Sequence, residues 1–229
     1  MKKYNLNEGE SFLGLISKQD RVSALEQSTL KKFKKGEQIV RELDTDTNLY
    51  LINSGKVRVT LFSNRGKEVS FVDIEKGGNF GEFSAIDGKP RSANVIALSD
   101  AEITILPPEV FLWILKNYPV VCIEILKQIT GIVRRLCNRI FEYSTLDVRN
   151  RIALELLRRS EGEIDGDGVR RIENPPTQLE LASRLSCSRE VVSREFKSFE
   201  ALGVISRSTK ILVIEDYNRL QAIAEGTET

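Results

Sequence analysis

Histidine is absent from all 229 residues. That absence removes Ser-His-Asp and Cys-His catalysis, His-ligated zinc and His-ligated haem in one step. Cysteine is scarce. Cys122, Cys137 and Cys187 are odd in number and far apart, which argues against a disulfide framework, a zinc site or an iron–sulfur cluster, because all of these need paired or clustered ligands. A reducing cytoplasm is the compartment this usage implies. No apolar run approaches the roughly 18 residues of a membrane span. The positive start, Met1-Lys2-Lys3-Tyr4-Asn5, is not followed by the apolar core of a secretory signal. Charge imbalance is also lacking: 34 Lys+Arg against 33 Asp+Glu leave +1, so any nucleic-acid surface must come from local placement of charge. What remains, 41% hydrophobic and 29% charged residues, is the composition of a soluble globular protein with length enough for two modest domains.

Between Leu30 and Leu106 the chain reads as short strands separated by turn residues. Asn48 to Ile52 is an apolar run that ends at Gly55. Val57 to Phe62 alternates into the hairpin signal Ser63-Asn-Arg-Gly66, and Glu68 to Ile74 alternates again. Val95 to Leu98 and Glu102 to Leu106 are two more strands, a spacing that suggests a small antiparallel barrel or roll. Pro107-Pro108 then opens a short helix, Glu109 to Lys116, because a proline at a helix start loses no hydrogen bond. Tyr118-Pro119 begins a long helix in which Leu126, Ile129, Val133, Leu136, Ile140 and Tyr143 recur as a heptad seam. Ile125 and Ile132 offer a second apolar face, so the seam is free to meet a second copy. A further amphipathic helix spans Leu146 to Arg159, Gly162 to Gly168 reads as a loop or hairpin turn, and Val204 to Ile214 reads as a hairpin around Ser208-Thr209. The expected parts are a strand-rich part over 1–117, a long dimerisation helix with hinge over 118–144 (the hinge near Phe141 to Asp147), and a second domain over 145–229.

Thr177-Gln-Leu-Glu180 has the form of a capping box, in which the threonine hydroxyl caps the first turn and the glutamate reaches back. Leu181 and Leu185 face inward, Leu185-Ser186-Cys187 turns, and Ser188 caps the next helix. There Val192, Phe196, Phe199 and Leu202 form a stripe for burial, with Arg189, Glu190, Ser193, Arg194 and Lys197 opposite and Gly203 as the stop. A helix held by such a stripe projects its first polar residues at base edges in a major groove. Arginine suits guanine O6 and N7, and glutamate accepts from cytosine N4. From Arg184 to Lys210 six positive residues face three negative ones, so the local charge favours phosphates.

A second stretch, Asn79 to Asn94, places a glycine-flanked carboxylate, a short helical turn and then Arg91-Ser92-Ala93 entering a strand. Backbone N–H groups at the turn suit an anion. Arg91 suits a phosphate clamp, Ser92 can donate a hydroxyl hydrogen bond, and Glu82 suits a ribose 2′-OH.

Together these motifs closely resemble the CRP/FNR family of bacterial regulators. Cys187-Ser-Arg-Glu-Val-Val-Ser-Arg194 is similar to its recognition motif, and Gly81-Glu82 with Pro90-Arg-Ser-Ala93 is similar to its phosphate-binding cassette. One member, CAP, is a standard example of helix-turn-helix docking. The resemblance implies an α+β fold: an N-terminal antiparallel β-roll, a long dimerisation helix and a C-terminal winged helix-turn-helix. It implies that Gly81, Glu82, Phe83, Ser84, Arg91, Ser92 and Ala93 hold the ligand. It also implies that Arg189, Glu190 and Arg194 read bases while Thr177 and Ser188 hold phosphates, with Ser193 and Lys197 on the same face. The implied partners are double-stranded DNA of pseudo-palindromic sequence, a second copy of the chain and, for an activator, RNA polymerase; no membrane is implied.

The chain departs from the pattern at three points. A polar position of the first helix is Leu179, the glycine of the turn is Ser186, and the Thr-Ser pair that contacts adenine falls on Leu136 and Cys137. Arg135, Asn138 and Arg139 are the polar neighbours. cAMP is therefore favoured as allosteric ligand, with cGMP, another nucleotide or ligand-independent action open, and no metal, haem or iron–sulfur cluster is expected. A ligand-binding module acting through protein partners is the alternative, and an enzyme is not expected.

Overall fold

The computed structural model describes residues 11–64, 66, 68–160, 170–208 and 210–228. It divides into two compact units, 1–133 and 134–229.

Among the described residues the first unit contains eight strands, in order β1 (Thr29–Phe33), β2 (Gln38–Val40), β3 (Leu49–Ser54), β4 (Lys56–Phe62), β5 (Glu68–Glu75), β6 (Asn79–Phe80), β7 (Asn94–Ala97) and β8 (Ala101–Leu106). They form two four-stranded antiparallel sheets, β1-β8-β3-β6 and β2-β7-β4-β5. Helix α1 (Lys18–Glu26) precedes them, α2 (Glu82–Asp87) interrupts them, and α3 (Pro108–Asn117) and α4 (Pro119–Thr145) follow. β3 explains why its sequence reads as a run rather than an alternation: it is covered on both faces. Leu49 and Leu51 pack with Leu106, Phe111, Ile114, Val121 and Ile125 in a core of sheet and helices. Tyr50 and Ile52 pack with Phe33, Val57, Phe80, Val95 and Ile103 in the core of the roll. The β4–β5 hairpin pairs Arg58 with Asp73 across the strands, and two parallel bonds of 2.7 and 3.0 Å reinforce that register.

The second unit contains the last turns of α4, then α5 (Val148–Arg159), β9 (Arg170–Glu173), α6 (Gln178–Leu185), α7 (Arg189–Ala201), β10 (Ile205–Arg207), β11 (Ile211–Ile214) and α8 (Tyr217–Glu225). Its sheet is antiparallel in the order β10-β11-β9, and its core gathers Ile152, Leu156, Leu181, Val192, Phe196, Phe199, Leu212 and Leu220. The α+β architecture of roll, long helix and winged helix-turn-helix is therefore present.

Several local expectations need correction. Ile129 is not on the free seam, because it packs against the sheet-and-helix core; Leu126, Val133, Leu136, Ile140 and Phe141 remain exposed. Leu202 does not complete the buried stripe. It is the C-cap residue, at the very end of the helix, and 37% of it is exposed. The helix expected from Leu146 starts at Val148, after an extended Asp147. Strand β9 and helix α8 have no counterpart in the sequence reading. The Gly162–Gly168 loop and Thr209 lie outside the described residues.

Candidate ligand site and nucleic-acid interface

The cassette is built on Gly81, whose φ of 88° is left-handed. Only glycine fits here: an added Cβ would lie 2.5 Å from Arg91 Nη1 and 2.9 Å from the Asn48 carbonyl oxygen. α2 starts directly after it, with Glu82 and Ser84 buried and Phe83 exposed. The loop 88–93 then returns Arg91, which is buried, followed by exposed Ser92 and half-buried Ala93. Arg91 donates to the Gly81 carbonyl at 3.1 Å and to the Asn48 carbonyl at 2.7 Å. Its Nη2 also pairs with Asp46 at 2.5 Å. The structure thus brings Gly81, Glu82 and Arg91 into one small region, with Ser92 and Ala93 at its edge.

Two carboxylates here behave differently. Burial pushes the Glu82 carboxyl up, and its own backbone N–H, the Arg91 charge and the Asn79 side chain offset this only in part. Its Oε2 is buried without a hydrogen-bond partner. Burial also pushes Asp46 up, but hydrogen bonds from Arg91, the Asn48 N–H and Tyr50, with the Arg91 charge, hold it below the usual range. Tyr50 is pushed up to about 12 by its own burial and by Asp46.

The connection that carries Asp46 is backbone-bonded to the cassette loop, Leu43 N–H to the Arg91 carbonyl and Arg91 N–H to the Asp44 carbonyl, both at 2.9 Å. Leu43 itself sits at φ 68° with 74% of its surface exposed. A left-handed leucine costs roughly 1–2 kcal/mol, and its exposed side chain returns little. Leu43→Gly is therefore expected to raise stability by about 0.5–1 kcal/mol after the entropy of the added glycine is subtracted. A urea midpoint equal to or below the parent's would contradict this.

The second site is the helix pair α6–α7. Thr177 Oγ1 accepts from the Glu180 N–H at 3.2 Å while Glu180 Oε2 accepts from the Thr177 N–H at 2.9 Å, so the capping box is complete. Ser186 takes the left-handed conformation, φ 54° and ψ 36°, and its N–H closes on the Ala182 carbonyl. Ser188 caps α7 by accepting from Val191 N–H. Val192, Phe196 and Phe199 hold α7 from beneath. Arg189, Glu190, Arg194 and Lys197 are exposed and Ser193 is half-buried, with exposed Thr177 and Ser188 capping the two helices. The Glu190 carboxyl is held below its ordinary range by its own backbone N–H and the Ser188 hydroxyl, so it stays an ionised acceptor. Arg194 Nε donates to Glu195 at 3.1 Å.

Two known domain families match the chain. A cyclic nucleotide-binding domain matches residues 30–118, and a Crp-like helix-turn-helix domain matches residues 150–223. The chain belongs to the CRP/FNR family. It is thus a DNA-binding transcription regulator with a cyclic nucleotide-binding domain. One CRP/FNR relative, a CRP-like cAMP-activated global transcriptional regulator of Mycobacterium tuberculosis, is 26% identical over 190 residues, covering 82% of this chain and 84% of the relative. The cyclic AMP receptor protein of Thermus thermophilus is 29% identical over 200 residues, covering 85% and 87%. Among solved structures, a CooA variant of Carboxydothermus hydrogenoformans shares the fold with a TM-score of 0.80 at 20% identity, over 96% of this chain and 98% of that one. The c-di-GMP-responsive regulator CLP of Xanthomonas campestris does so with a TM-score of 0.74 at 19% identity, over 87% and 100%.

Within this CRP/FNR chain, Arg135, Leu136, Cys137 and Asn138 are exposed on the part of α4 that belongs to the second unit. Among the described residues no group of three or more His, Cys, Asp or Glu is placed to hold a metal, and no helix is long and apolar enough to cross a membrane. The sequence reading missed Asp46, Asn48 and Tyr50, which touch Arg91 from more than 40 positions away. The stretch Asp44-Thr-Asp46-Thr-Asn48 signals a polar connection, but nothing local selects Asp46 within it. It also missed the fastening of α4 inside the second unit. Arg139 Nη2 and Tyr143 Oη each donate to the Arg184 carbonyl at 3.0 Å. Arg151 lies 4.7 Å over the Tyr143 ring, and Arg158 pairs with buried Glu142.

Proposed function

We propose that the chain is a homodimeric regulator whose sequence-specific DNA binding is switched by a cyclic nucleotide, cAMP before cGMP, held at the cassette. The observation that carries this reading is the buried Glu82 Oε2 with no partner, beside Arg91. A buried acceptor left open is costly in the free protein, and a ribose 2′-OH is a donor of the right kind. Gly81, Phe83, Ser84, Ser92 and Ala93 line the phosphate side, and Arg135 and Asn138 supply polar contacts to the base. The M. tuberculosis and T. thermophilus relatives, named for cAMP, favour that ligand; Leu136 and Cys137, which lack the adenine-reading hydroxyls the family resemblance implies, keep cGMP in view.

The exposed apolar strip Leu126, Val133, Leu136, Ile140 and Phe141 on α4 supports pairing with a second copy. The parts are a sensor over 1–117, a dimerisation helix over 118–144 and a DNA-binding domain over 145–229. Two recognition helices α7, about 34 Å apart, would enter successive major grooves of a pseudo-palindromic site. There Arg189, Glu190 and Arg194 read bases, while Thr177, Ser188, Ser193 and Lys197 meet the backbone. The protein acts in the cytoplasm, and as an activator it would also engage RNA polymerase.

Calorimetry of the full chain with cAMP, cGMP and c-di-GMP tests the ligand. Selection from a random DNA pool with and without the winning nucleotide tests the switch. Heat and saturation with a cyclic mononucleotide, and enrichment of inverted repeats, are expected. No heat with any of the three would end the cyclic-nucleotide reading.

Glu82 provides a further prediction with two opposite signs. Its folded-state pKa is raised, so the protonated form adds stability that is lost as pH rises through that value. Glu82→Gln is expected to melt higher than the parent at pH 8, with the difference fading below the ordinary glutamate pKa. The same variant should bind nucleotide about tenfold or more weakly, because an acceptor of charge-assisted strength is gone.

A further inference from the structure

A guanidinium has five N–H donors, and Arg91 spends four of them within the protein. Nε and one Nη2 hydrogen go to Asp46 Oδ2 at 3.2 and 2.5 Å, the other Nη2 hydrogen to the Asn48 carbonyl at 2.7 Å, and one Nη1 hydrogen to the Gly81 carbonyl at 3.1 Å. The Arg91 side chain is 2% exposed and that of Asp46 is 34% exposed. A cation buried this deeply requires a counter-charge, and Asp46 supplies it. Tyr50 fixes the carboxylate by donating its hydroxyl to the same Oδ2 at 2.8 Å, and its ring lies 5.2 Å from the Arg91 guanidinium carbon. The Nε/Nη2 edge, the edge that offers a phosphate two parallel bonds, is therefore taken by a carboxylate of the chain itself.

We propose that Asp46 is a tethered anion that competes with the ligand's phosphate for Arg91, so that residue 46 sets the affinity of the sensor. This rests on the cyclic-nucleotide reading above. Ligand entry is then an exchange. The Nε/Nη2 edge passes from carboxylate to phosphate, and Asp46, already one-third exposed, turns to water. Because one ion pair is lost for the one gained, the net gain is smaller than at an arginine that waits unpaired. The sensor responds only at ligand concentrations high enough to displace its own carboxylate. The backbone bonds on either side of Asp46 hold the competitor at high effective concentration: Leu43 N–H to the Arg91 carbonyl and Arg91 N–H to the Asp44 carbonyl.

The test is calorimetry of the full-length parent, Asp46→Asn and Asp46→Ala with cAMP and cGMP, joined to thermal melts of each with and without nucleotide. Both variants are expected to melt lower when free, because a buried guanidinium has lost its partner. Both should bind nucleotide about tenfold or more tightly than the parent and show a larger ligand-induced rise in Tm. Binding by the variants alone would also support the competition. Tyr50→Phe frees the carboxylate without removing it and is expected to tighten binding by a smaller factor, about fivefold; it keeps the test open should the Asp46 variants fail to fold. A parent that binds while the variants bind equally or more weakly would overturn the proposal and leave the cyclic-nucleotide reading standing, with Asp46 orienting Arg91 instead. If neither parent nor variants bind, both fall together.

Discussion

Replacing Phe199 by alanine is expected to destabilise the C-terminal unit by about 3–5 kcal/mol, the usual cost of emptying a fully buried aromatic site. Phe199 is 0% exposed and lies in the core that supports α7 from below. The guanidinium of Arg149 lies 5.1 Å from its ring, and that same side chain reaches Glu195 and Ser198 on α7. The cavity therefore removes packing and also loosens a cation that braces the recognition helix. The two units can be followed separately, because the one tryptophan, Trp113, belongs to the first unit. Urea unfolding by circular dichroism should gain an early phase while the Trp113 fluorescence midpoint stays in place. A loss below about 1 kcal/mol would mean that the site collapses around the cavity. Coincident shifts of both signals would mean that the units unfold as one.

The second large effect is expected at the DNA. Arg189 opens α7, is exposed and follows the Ser188 cap, the position from which the proposed recognition helix would meet base edges. Arg189→Ala should weaken binding to the selected sequence by about 1–3 kcal/mol per half-site, which is about 5- to 150-fold. In a two-fold dimer the loss occurs twice, roughly doubling it. Binding to random DNA should fall far less, because phosphate contacts dominate there. Lys197→Ala is the control: it should weaken selected and random DNA alike and flatten the salt dependence by about one unit of slope. Retardation assays over a salt series give both numbers. Equal losses on both DNAs for Arg189→Ala would remove it from base recognition.

The reach of the sequence differs between the two sites for a physical reason. The helix pair is legible because its determinants are local. Thr177 meets Glu180 three residues away, Ser188 meets Val191 three residues away, and Val192, Phe196 and Phe199 recur with the helical period. The cassette is legible in part. Gly81 betrays a left-handed turn, and Arg91 belongs to a local motif, but the environment of Arg91 is made by a connection that only the sheet order brings beside it. β3, which follows that connection, pairs with β6 just before α2. A motif therefore names the arginine without showing that a carboxylate already holds it. Leu202 shows the opposite failure. Its spacing continues the stripe, yet the helix stops at Ala201 and the turn at Gly203 carries the chain away.

The joint expected at Phe141 to Asp147 looks different once its bonds are known. Arg139 and Tyr143 both hold the carbonyl of Arg184, the last basic residue of α6, and Glu142 is buried against Arg158 of α5. In mechanical terms the final turns of α4 are a handle built into the reading head, and the break at Leu146-Asp147 lies inside that handle's grip. These bonds tie the final turns of α4 to α6 and α5 across the break, so a displacement of those turns would carry both helices with it. Upstream of Arg139 the exposed face of α4 mixes apolar Leu126, Val133 and Leu136 with polar Lys127, Thr130, Arg134, Arg135 and Asn138, and its stiffness there depends on what it packs against.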